Sequence, residues 1–131
     1  MAYANVDQEV GYVQGINYIV AILLFYIQDE ELVFWCLYQV MNKLNMRQVY
    51  KVGFPKLSLL NEHMSERLEQ EHPRLLEHLG DNSLGVENTF VSHFMTFSID
   101  KTPLEISTRI FEVFLLDGDS GYINCLIRMI E

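Results

Sequence analysis

Residues 10–17 read Val-Gly-Tyr-Val-Gln-Gly-Ile-Asn and set one uncharged amide, Gln14, between Gly11 and Gly15. A primary amide both donates and accepts hydrogen bonds. Holding a water molecule in line with a phosphate needs both roles at once, because phosphoryl transfer depends on positioning more than on covalent chemistry. Glycine permits a tight bend or the close approach of another backbone. The stretch can therefore present Gln14 to a partner that carries a phosphate. The competing reading is glycine-mediated helix packing, which is the more ordinary one on spacing alone.

Other chemistry is poorly supplied. His63, His72, His78 and His93 form no i, i+4 pair, and there is no Cys-x-x-Cys. A zinc site needs three or four converging ligands, so no metal site is expected. Glu62, Glu66, Glu69 and Glu71 recur on what reads as the wet face of a helix, a solvated surface rather than an acid–base pair. No Gly-x-Ser-x-Gly, phosphate-loop or dinucleotide fingerprint occurs, so no resident cofactor is expected. Cys36 and Cys125 lie in apolar segments, which reads as buried free thiols in a reducing, cytosolic compartment.

The chain has 131 residues, half of them hydrophobic, and a formal charge of −9. That suits one domain with a sizeable core. The acidity argues against nucleic acid and against anionic lipid surfaces. The longest apolar run, residues 18–27, is too short to span a bilayer. Gly11-x-x-x-Gly15 precedes that run, so it does not read as a membrane-helix dimer motif.

The elements that must position Gln14 read as helices throughout. One helix is expected over residues 10–28, central and buried in its second half. A second runs from an Asp29 N-cap to about residue 45, with Val33, Leu37, Val40, Met41 and Leu44 on one face and Trp35 off it. After a loop at residues 52–55, Leu57, Leu60, Met64 and Leu68 mark a third, ended by His72-Pro73. Pro73 opens a short helix that closes at Gly80, and residues 81–83 read as a turn. A further helix is expected over residues 87–98. Thr102-Pro103-Leu104-Glu105 reads as a capping box for a helix that stops at Asp117-Gly118. A last helix begins near Ser120 and still looks helical at Glu131, which predicts a truncated C-terminus.

In order along the chain, these segments resemble the TBC domains that activate Rab GTPases. Glu9-Val10-Gly11-Tyr12-Val13-Gln14-Gly15-Ile16-Asn17 is similar to the family's Tyr-x-Gln-Gly motif. Residues 72–79 are similar to its Pro-x-Leu segment, residues 93–97 to its Trp-Phe-x-Thr segment, and residues 109–118 to its Arg-Ile-Trp-Asp segment with a closing glycine. The resemblance implies an all-α, multi-helix orthogonal bundle, incomplete at both ends, so that residues 1–131 are a partial TBC domain. It implies that Gln14 orients the attacking water on a Rab-family small GTPase that carries its own GTP and magnesium. Tyr12, Gly15 and Asn17 would then meet the partner. It also implies a role in vesicle trafficking, with a cytoplasmic protein drawn to membranes by its lipid-anchored partner.

Three departures matter. The family's arginine finger lies in an Ile-x-x-Asp-x-x-Arg motif upstream of the glutamine. The five arginines here, Arg47, Arg67, Arg74, Arg109 and Arg128, all follow Gln14. Such a finger is worth roughly 10³–10⁵ in rate, or about 4–7 kcal/mol, so this chain is expected to be a poor activator alone. His93 replaces the usual tryptophan, and Phe111-Glu112 replaces Trp-Asp. Arg109 is expected to pair with Glu112 inside the fold. The alternative is a catalytically silent TBC-like scaffold or structural subunit of a larger assembly.

Overall fold

The computed structural model describes residues 2–131. They form eight helices and no strand: α1 (Ala2–Val6), α2 (Ile16–Tyr26), α3 (Glu30–Asn42), α4 (Arg47–Tyr50), α5 (Pro55–Glu71), α6 (Pro73–Asp81), α7 (Val86–Thr96) and α8 (Leu104–Ile130). The protein is all-α, as expected. Among the described residues no helix is long and apolar enough to cross a membrane.

The centre is α5, not the apolar run of α2. Leu57, Leu60, Met64 and Leu68 are buried on one stripe, and the helix touches α4, α6, α7 and α8. Spacing of three and four residues keeps such a stripe on one side. In α2, Ile19, Ile22 and Leu23 are buried, but Leu24, Phe25 and Tyr26 face outward. Uniform apolarity therefore overstated its burial. Trp35 stays off the α3 stripe and is exposed.

Two starts differ from their sequence reading. The helix expected over residues 10–28 begins only at Ile16, because Gly11 (φ 63°) and Gly15 (φ 120°) both take positive φ and interrupt any helix there. The capping box at Thr102 does not form. The Thr102 hydroxyl donates to the Ser98 carbonyl at 3.0 Å and also pairs with Ser107 Oγ at 2.8 Å, while Pro103 occupies the cap. Asp29 does cap α3, accepting from the Leu32 N–H at 2.9 Å. The helix expected to reach about residue 45 ends earlier, at Asn42, and the chain turns at Asn45 (φ 58°).

The end of α7 is built by two successive left-handed residues, Phe97 (φ 50°) and Ser98 (φ 65°), which stop the helix two residues before its expected end. The turn drives Phe97, fully buried, against Phe111, Phe114 and Tyr122, with ring centroids about 5 Å apart. The Tyr122 hydroxyl donates to the His93 carbonyl of the same turn. This aromatic cluster fixes where the last carbonyls of α7 point. α8 breaks at Gly118 (φ 66°, ψ −151°), where the sequence places a stop.

Candidate functional site

Gln14 sits at the corner of a turn, exposed to solvent. The Ile16 N–H donates to the Val13 carbonyl at 3.3 Å, so Gln14 and Gly15 are the two central residues. A turn with positive φ at its second corner strongly favours glycine there. The Asn17 side chain folds back, and its Oδ1 accepts from the Gly15 N–H at 3.2 Å. The turn then runs directly into α2.

Gly15 is buried against the end of α7. A Cβ on it would lie 2.8 Å from the Met95 carbonyl oxygen and 3.0 Å from the Tyr50 ring. The buried Tyr50 donates its hydroxyl to that same carbonyl at 2.6 Å. Burial pushes the Tyr50 phenol upward from its ordinary range, so it stays a neutral donor. The C-terminal edge of α7 and the last residue of α4 thus form the seat on which the turn rests.

The other end of the loop is tied by charge. Arg47 grips Asp7 with two bonds, Nε to Oδ2 at 2.6 Å and Nη2 to Oδ1 at 2.8 Å. Nη2 also reaches Glu9 at 2.6 Å, and Lys51 reaches the second oxygen of Glu9 at 2.7 Å. Asp7 accepts further bonds from the Tyr3 hydroxyl at 2.8 Å and the Val10 N–H at 3.3 Å. The Arg47 guanidinium holds the Asp7 carboxyl down at about 2, helped by Tyr3 and Val10 and opposed by burial. An acid depressed in the folded state stabilises fully above its ordinary 3.8, and that contribution is lost as the pH falls through about 2. Titration of Asp7 by NMR is expected to show a midpoint near 2, moving toward 3.8 in Arg47→Ala. A midpoint near 3.8 in the native protein would mean that the ion pair does not form.

The structure brings together Gln14, Gly15 and Asn17 in one turn. Tyr12 is exposed two residues before Gln14. Arg109 does not lie inside the fold. It is exposed and pairs on the surface with Glu112 at 2.5 Å, while Glu112 accepts from Tyr26 at 2.7 Å. The i, i+3 spacing made the pair legible but said nothing about its burial. His93 packs beside Phe90 and shares a hydrogen bond of 2.9 Å with Ser98 Oγ. Burial pushes its imidazole down. Phe111 is a core residue.

Other clusters carry less. Both cysteines are free, and each is partly rather than fully buried. Glu71, His72 and Glu131 converge within 4.8 Å, closer than scattered histidines suggested. Glu71 already pairs with Arg67 and Glu131 with Arg128, each at 2.5 Å. An apolar groove of about 680 Å³ lies at the far end of α2 and is lined by Leu23, Ile27, Trp35, Phe111 and Leu115. Its one carboxylate, Glu112, is taken up by Tyr26 and Arg109. Sequence reasoning missed Arg47 and Tyr50. The exposed glutamine is legible, but these two supports lie 33 and 36 residues further along the chain.

The profile of the Rab-GTPase-TBC domain matches residues 1–131. The human "Ecotropic viral integration site 5 protein homolog" is 32% identical over 117 residues, 89% of this chain and 14% of that protein. "Rab GTPase-activating protein eat-17" of Caenorhabditis elegans is 32% identical over 127 residues, 95% of this chain and 14% of that protein. Mouse "TBC1 domain family member 4" is 30% identical over 117 residues, 89% of this chain and 9% of that protein. The chain thus spans about a tenth to a seventh of these relatives' length. No solved structure matches it.

Proposed function

Because the chain belongs to the Rab-GTPase-TBC domain family, we propose that it promotes GTP hydrolysis on a Rab-family GTPase and that Gln14 orients the attacking water. The observation that carries this reading is an exposed primary amide at the corner of a turn whose backbone is braced from both sides. A braced donor–acceptor costs little reorganisation when the transition state forms. Tyr12 and Asn17 flank it on the exposed side. GTP and magnesium belong to the partner, so this chain holds no cofactor of its own. Work in vesicle trafficking follows from the partner.

The finer reading concerns charge. Phosphoryl transfer also needs a cation on the developing negative charge. Arg47 holds the start of the same loop, and Asp7 and Glu9 occupy it. Gln14 is neutral and cannot substitute. We therefore read residues 1–131 as a partial catalytic unit: it engages the GTPase, and alone it accelerates hydrolysis weakly. The engaged Arg47 also favours a second reading, a silent TBC-like scaffold within a larger assembly.

The test is single-turnover hydrolysis on a panel of GTP-loaded Rab proteins, with binding measured in parallel. The 131-residue chain is expected to bind at least one Rab and to stimulate it weakly. The protein at its full natural length is expected to stimulate the same Rab at least about 10³-fold more, the size of a supplied arginine. Absence of binding to every Rab would overturn the proposal. Binding with no stimulation by the full-length protein would establish the scaffold.

A further inference from the structure

The loop of residues 7–15 is closed at both ends by one short helix. Arg47 opens α4 and holds Asp7 and Glu9 at the beginning of the loop. Tyr50 closes α4 and packs on Gly15 at the loop's end, while its hydroxyl fixes Met95. Gln48 and Val49 lie between the two, and the rise from Arg47 to Tyr50 is about 4.5 Å. Lys51, the next residue, takes the remaining oxygen of Glu9. A nine-residue loop otherwise samples many conformations, and ordering it costs roughly 1–2 kcal/mol per residue. Here its two ends are pinned to one turn of α4, and Gln14 lies between them.

We infer that Arg47 is a positioning residue for Gln14, acting through Asp7 and Glu9 rather than on the nucleotide. This rests on the assignment of Gln14 as the water-orienting residue. The pair is built to last: the Asp7 side chain is only 12% exposed and the Arg47 side chain 20%. The guanidinium meets the carboxylate with two parallel bonds, the geometry that gives direction as well as attraction. Lysine supplies the charge without the fork. Arg47→Lys should therefore hold the loop less well than arginine and better than alanine.

A displacement on the order of 1 Å in a positioning group can cost about 10²-fold in rate. Arg47→Ala is expected to lower kcat for stimulated hydrolysis by about 10- to 100-fold, with KM for the GTP-loaded Rab changed less than about threefold. Asp7→Asn should produce a similar loss, and the double variant no more than either alone, because both remove one contact. Were Arg47 itself the cation at the phosphate, Asp7→Asn would release it and leave kcat unchanged or higher.

The experiment measures kcat and KM for the wild type, Arg47→Ala, Arg47→Lys, Asp7→Asn, the double variant and Gln14→Ala, in the protein at its full natural length. Amide hydrogen exchange is followed in the same proteins. Faster exchange at residues 8–15 in Arg47→Ala, with α5 and α7 unchanged, is the expected result. A kcat at the wild-type level in Arg47→Ala, while Gln14→Ala is inactive, would overturn the positioning role and leave Gln14 standing. Full activity of Gln14→Ala would instead remove the premise, and the exchange data would then decide whether α4 orders the loop. Unchanged exchange in both Arg47→Ala and Asp7→Asn would overturn the inference outright.

Discussion

Gln14→Ala is expected to reduce stimulated GTP hydrolysis by roughly 10²-fold or more, comparable with the loss of one preorganised hydrogen-bond donor at other transition states. The side chain is exposed and belongs to no regular element, so truncating it removes neither a packing contact nor a helix position. Stability should change by less than about 0.5 kcal/mol, as for other surface substitutions. The combination is diagnostic. Affinity for the GTP-loaded Rab should stay within a few-fold, the melting temperature should hold, and kcat alone should fall. That pattern marks an interaction made in the transition state only. Gln14→Glu should not rescue it, because a carboxylate loses the two N–H donors and brings negative charge toward the phosphate. Wild-type stimulation by Gln14→Ala would remove the glutamine from the mechanism.

Gly15→Ala should damage the fold itself. The backbone at φ 120° lies where side chains other than hydrogen are rarely found. Such strain costs about 1–3 kcal/mol. The added Cβ would also press to 2.8 Å from a carbonyl oxygen that the Tyr50 hydroxyl holds in place. Backbone cannot yield as the end of a flexible side chain can. A total loss of about 3–4 kcal/mol is expected, a large share of a typical domain's stability. Denaturant unfolding is the measurement. Gly11→Ala is the control: its φ is also positive, at 63°, but nothing lies within 4 Å of the added carbon. It should cost about 1–2 kcal/mol. Equal losses at the two positions would mean that the seat formed by Met95 and Tyr50 is not rigid.

The contrast shows what the sequence could and could not reveal. Leu57, Leu60, Met64 and Leu68 announce α5 because its burial depends on a period that any reader can count. Asp29 announces the start of α3 because its partner, Leu32, is three residues away. Local causes are legible. The start of α2 is not legible although both glycines are in plain view, because the seat that leaves Gly15 no room for a side chain comes from Met95, eighty residues on, and Tyr50. The Thr102 capping box failed for a similar reason: the left-handed turn at Phe97 and Ser98 offers its hydroxyl another carbonyl. α4 has four residues and no periodicity to read. It is held by what Arg47 and Tyr50 touch elsewhere in the fold. Gln14 was found by type and spacing, whereas the residues that aim it are visible only in three dimensions.

The break at Gly118 has a consequence for size. An uninterrupted helix over the 27 residues of α8 would be about 40 Å long. A domain of this chain's length has a radius of gyration of only about 14 Å, so a straight α8 would protrude past its own core. Bending at Gly118 returns the second segment to the globule, where Tyr122, Ile123, Leu126 and Ile127 are buried. Gly121 lets the bend close tightly, since a Cβ there would lie 2.6 Å from the Asp117 side chain. Just past the bend, Asp119 meets the buried Lys56 at 2.7 Å and ties the returning segment to the first turn of α5. One glycine thus makes the longest helix fit within the diameter of the body it helps to close.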